Sequence, residues 1–63
     1  MISHFIDAAA GTPVYINPDY VVSLRPDPAE PDTVSILKLN AGETLRVRGS
    51  HTEIADRLTR AAA

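Results

Sequence analysis

The chain has no cysteine, so it can form neither a disulfide nor a thiolate metal site. Its only imidazoles, His4 and His51, are too few for a structural zinc site. No cofactor or metal is expected. Positive charge is also scarce: six Lys and Arg stand against eight Asp and Glu, a net charge of −2. Dedicated nucleic-acid and membrane-surface binders carry a basic excess instead. No apolar run approaches the roughly 20 residues of a membrane span. The three glycines are scattered and form no phosphate-cradling loop. Ala8-Ala9-Ala10 has the small side chains of a signal cleavage site, but no Lys or Arg precedes it and its apolar core is too short. The expected location is therefore cytoplasmic.

What is present is 44% apolar, too much for a disordered tail. The 63 residues are expected to form one domain spanning 1–63. A chain of this size buries only about 60% of its unfolded surface and is marginal alone. Without disulfide or metal it must rely on good local design or on self-association.

Ile2 to Ile6 reads as a first strand, carrying Ile2, Phe5 and Ile6. Gly11 supplies a turn, and Pro13-Val14-Tyr15-Ile16 reads as a second strand with its proline at the start or on an edge. Asn17-Pro18 then predicts a single helical turn, because Asn caps and Pro suits a first helical position. Val21 to Arg25 is extended again. Pro26-Asp27-Pro28-Ala29-Glu30-Pro31-Asp32 predicts a stiff, solvated loop that blunts a sheet edge: its prolines leave few donors and its carboxylates favour water.

Thr33 to Leu39 and Glu43 to Arg48 form the clearest hairpin. They are joined by Asn40-Ala41-Gly42, a short loop with glycine last. That loop sets Leu39 opposite Glu43, Leu37 opposite Leu45 and Ser35 opposite Val47. The other face then carries Val34, Ile36, Lys38, Thr44, Arg46 and Arg48. A helix follows at once, opened by the capping box Ser50-x-x-Glu53. Glu53–Arg57 and Asp56–Arg60 are spaced as i,i+4 ion pairs. The apolar stripe is Ile54, Ala55, Leu58, Ala61 and Ala62, with only two large residues.

These elements predict an α+β fold: a small bent antiparallel sheet of four to five short strands, followed by one C-terminal helix. So thin a helix cannot cover both faces of such a sheet. Either the sheet curls on itself or a second copy covers the remainder; we expect a homodimer through the uncovered face. The candidate interaction face is Val34, Ile36, Lys38, Arg46 and Arg48.

Catalysis finds little footing. Ser50, His51 and Asp56 are the residue types of a hydrolytic triad, but adjacent Ser and His at a helix start cannot adopt its geometry, and capping already explains Ser50. Asp27, Glu30 and Asp32 do not match the spacing of a calcium loop. Every candidate acid, base or nucleophile has a structural explanation, so no enzyme is expected. Lys38, Arg46 and Arg48 form a basic strand face, and the alternative reading is a small nucleic-acid-binding or regulatory domain. Phe5, Tyr15 and Tyr20 lie too far off in sequence to interleave with it as single-strand binders require.

From Gly11 onward the pattern resembles the small flagellar proteins of the FlbD/SwrD type. The matching residues are Gly11, Val14-Tyr15-Ile16-Asn17-Pro18-Asp19, Val22 and Pro31-Asp32-Thr33-Val34, followed by Leu39, Gly42, Val47, Ser50, Glu53 and Ile54. The Arg25–Glu30 loop is longer than in that family, and its lysine-rich helix is here replaced by Arg57, Arg60 and alanines. The resemblance implies a short, non-enzymatic protein linked to flagellar motility, with no catalytic residues to carry over. Together these readings give a protein-interaction module with an unidentified protein partner, homo-oligomeric, with no membrane insertion.

Overall fold

Asn40-Ala41-Gly42 reverses the chain as the spacing predicts, because Gly42 accepts the positive φ of 93° that ends such a loop. Leu39 donates to the Glu43 carbonyl at 2.9 Å, and Gly42 to Leu39 at 3.0 Å. The flanking strands pair Leu37 with Leu45 and Ser35 with Val47, the expected register. The computed structural model describes residues 2–62, and side chains over 2–60. Its elements are β1 (Ser3–Ile6), β2 (Pro13–Ile16), a 3₁₀ turn (Pro18–Tyr20), β3 (Val21–Pro26), β4 (Val34–Leu39), β5 (Thr44–Arg48) and α1 (His51–Ala62).

The fold is α+β, with five antiparallel strands and a C-terminal helix, but the strands form two sheets. β1 and β2 make one, and β3-β4-β5 the other. The turn between β1 and β2 is built by Asp7. Its carboxylate accepts from the amides of Ala9 and Ala10 at 2.9 and 2.8 Å, and its own amide donates to Thr12 at 2.8 Å. Just past β1 the chain meets β5: Asp7 bridges Val47, and the Ala8 amide donates to Arg46 at 2.9 Å. The spatial order is thus β2-β1-β5-β4-β3, with a short seam in the middle.

That curl closes the core. Phe5, Ile16, Leu37, Val47 and Ile54, drawn from β1, β2, β4, β5 and α1, form one buried cluster. The accessible surface is 4002 Å², and a compact monomer of this mass is expected to expose roughly 4,000 Å². The thin helix therefore suffices, because the first hairpin does the remaining covering.

Local signals place the other elements. The Asn17 carboxamide accepts from the Asp19 amide at 3.0 Å and starts the 3₁₀ turn at Pro18. At α1, the Ser50 hydroxyl accepts from the Glu53 amide at 3.3 Å, the serine half of the expected capping box and worth about 1 kcal/mol. Asp56 and Arg60 pair at 3.1 Å on an exposed surface, where such pairs contribute little. Arg57 does not follow its expected pairing with Glu53. It donates to the His4 carbonyl, and its guanidinium lies 4.4 Å from the centre of the Phe5 ring. A backbone carbonyl and an aromatic face together outcompete one solvated carboxylate. The side chains of Ala61 and Ala62, expected in the apolar stripe, lie outside the described residues.

Candidate interaction surfaces

Cross-strand partners share a sheet face, so the registers define the outer face of β3-β4-β5 directly. Arg25 and Arg46 flank Ile36, Ser23 and Thr44 flank Lys38, and Arg48 pairs with Val34. Four of the chain's six basic residues, Arg25, Lys38, Arg46 and Arg48, stand on this one face. The structure brings the sequence-defined set together and adds Arg25, whose side could not be read until the β3 register was known. Val34 is only 5% exposed, Ile36 is half-buried, and Lys38, Arg46 and Arg48 are exposed.

The proline-rich loop is not wholly solvated as its composition suggests. It folds back onto this face, with the Asp27 amide donating to the Val34 carbonyl and the Val34 amide to Glu30. Asp27 is buried at 4% exposure. One carboxylate oxygen accepts from the amides of Ala29 and Glu30 at 2.7 and 3.3 Å, and the other from Arg46 Nε at 2.6 Å. The Ala29 amide, and then the Arg46 guanidinium, hold the Asp27 carboxyl below the usual carboxylate range. Asp7 is held low in the same way by the amides of Ala10 and Ala9.

A folded pKa below the unfolded value gives stability that is present above about pH 3.9 and lost as pH falls through the folded value. The melting temperature of the parent is therefore expected to drop on acidification below that point. Asp27→Asn places an amide donor against Arg46. It is expected to lower Tm by about 5–10 °C at pH 7 and to flatten the acid limb of the Tm–pH curve. Calorimetry from pH 2 to 7 checks both effects, and parallel curves for the two proteins would remove Asp27 from this role.

The remaining candidates disperse. Ser50 caps α1, His51 is exposed beside it, and His4 packs against Tyr15 with the rings tilted at 51° and their centres 5.3 Å apart. Among the described residues, no three His, Cys, Asp or Glu side chains gather as metal ligands, and no helix is long and apolar enough to cross a membrane.

A second surface was not legible in the sequence. β3 is an edge strand, and α1 runs beside it. Between them lies an open groove of about 340 Å³, lined chiefly by Pro18, Val21, Val22, Leu24, Ala55 and Leu58. Val22 is the extra residue of a β-bulge between Val21 and Ser23 and is 63% exposed; nearby Tyr20 is 54% exposed. The bulge turns Val22 out of the ladder. Only the broken alternation of Tyr20-Val21-Val22 hinted at this.

No known protein family, characterised protein or solved structure matches the chain. The surfaces themselves carry the functional reading.

Proposed function

We propose that the chain is a non-enzymatic protein-interaction module, cytoplasmic, that assembles as a homodimer through the β3–α1 groove. The observation that carries this reading is Val22, a β-branched apolar side chain turned into solvent beside an apolar groove. The patch is self-complementary in kind: projecting Val22 and Tyr20 adjoin a depression lined by Leu24 and Leu58, so a two-fold axis can seat each copy's projection in the other's groove. The bulge and the missing N–H of Pro26 blunt the β3 edge, which favours side-chain packing over strand addition.

The outer sheet face suits a two-fold contact less well. An isologous interface centred on Ile36 would oppose Arg25, Lys38 and Arg48, which are in no ion pair among the described residues, with the same cations of the second copy. The resemblance to small flagellar proteins supports motility as the setting for the module.

Sedimentation velocity across the micromolar range tests the assembly. The parent is expected to shift from monomer to dimer with concentration. Val22→Glu is expected to stay monomeric with an unchanged circular dichroism spectrum, because a carboxylate in an apolar contact is costly. Ile36→Glu is expected to dimerise like the parent. A parent that stays monomeric at high micromolar concentration, or a Val22→Glu variant that dimerises equally well, would overturn the proposal.

A further inference from the structure

We infer that the outer face of β3-β4-β5 is a docking site for an extended acidic polypeptide segment, on a surface separate from the groove. None of Arg25, Lys38 and Arg48 belongs to an ion pair among the described residues. All three are exposed, in a protein whose net charge is negative. Arg46 is already committed to Asp27, and this pairing fixes the loop at the border of the face. Arg25 and Lys38, with Arg48 whose charge also helps hold the Asp7 carboxyl low, thus stand around the half-buried Ile36.

The spacing fits an extended chain. Neighbouring strands lie about 4.8 Å apart, and same-face residues recur about every 6.7 Å along a strand. Alternate side chains of an extended ligand recur at that same distance. Carboxylates at every second position can therefore face the successive rows of Arg48, Arg25 and Lys38, with the intervening side chains turned away from the sheet. Nucleic acid satisfies the cations alone. The face carries no aromatic ring for stacking, since Phe5 lies in the core and Tyr15 and Tyr20 belong to β2 and the 3₁₀ turn. Three phosphate contacts give only weak affinity at physiological salt.

Fluorescence anisotropy with a labelled nonapeptide that alternates glutamate with leucine or serine tests the site. A lysine-for-glutamate peptide and a nine-nucleotide oligothymidylate serve as comparisons. The acidic peptide is expected to bind with micromolar affinity, the lysine peptide not at all, and the oligonucleotide more weakly. Arg25→Gln/Arg48→Gln is expected to weaken the acidic peptide by about tenfold or more, and Lys38→Gln by about threefold, with melting curves like the parent's. Val22→Glu is expected to bind the peptide as the parent does, which separates this site from dimerisation. No binding at about 1 mM protein, binding unchanged in the double variant, or tighter binding of the oligothymidylate would each overturn the assignment.

Discussion

Phe5→Ala is expected to bring the protein to the edge of unfolding at 25 °C. Phe5 is 1% exposed and belongs to the cluster that joins both sheets to α1. Truncating a buried phenylalanine costs about 3–5 kcal/mol, the lost transfer energy plus the cavity left behind. A chain of this length has a total stability of only about 3–9 kcal/mol, so one such loss removes a large share of it. The ring also carries the Arg57 guanidinium on its face, and its removal releases the tie between α1 and β1. Urea titration followed by circular dichroism is expected to show a midpoint near zero denaturant for the variant. A midpoint within about 0.5 M of the parent would show that the first hairpin is not part of the cooperative core.

Gly49→Ala is expected to be nearly as damaging, although it adds a single methyl group. Gly49 joins β5 to α1 at φ 130°, a conformation that residues with a Cβ rarely adopt. An added Cβ would lie 2.9 Å from Ile54 Cδ1, and Ile54 is fully buried. The backbone cannot move away easily. The Gly49 amide donates to Thr33 at 2.7 Å, and its carbonyl accepts from the buried Ser35 hydroxyl at 2.8 Å. Backbone strain and overpacking together cost about 2–4 kcal/mol. A Gly49→Ala/Ile54→Val double variant is expected to recover part of that loss, because it relieves the contact without touching the φ strain. Thermal melts of the two variants check this. Equal Tm values for Gly49→Ala and the parent would contradict the reading of the junction.

The parts of the fold legible in the sequence are those fixed by neighbours in the chain. Asn40-Ala41-Gly42 sets one register, Asn17-Pro18 one turn and Ser50 one helix start; each rests on a local hydrogen bond or dihedral that a few residues determine. The seam at Asp7 and Val47 is not local. It joins segments some forty residues apart, and nothing in either segment names the other. The closure it provides changes the expected need for a second copy over Val34, which the returning loop and strands already bury. Asp27 looked like one solvated carboxylate among three. Its burial depends on Arg46 arriving from β5, across the sheet from β3. Arg57 had a partner at ideal spacing in Glu53, but took the carbonyl and ring that β1 brought within reach. The basic face was visible as alternation on β4 and β5, and incomplete without the β3 register that adds Arg25. The groove was hidden because a bulge, not a pattern, exposes Val22.

The location of the self-contact is the central claim, and amide chemical shifts measured against concentration test it most directly. From dilute to millimolar protein, shifts are expected at Val22, Leu24, Ala55, Leu58 and Thr59, which line the β3–α1 groove, and at exposed Tyr20 next to Val21. Ile36, Lys38, Arg46 and Arg48 are expected to stay unmoved. Shifts confined to the outer sheet face, or none at any concentration, would contradict the account.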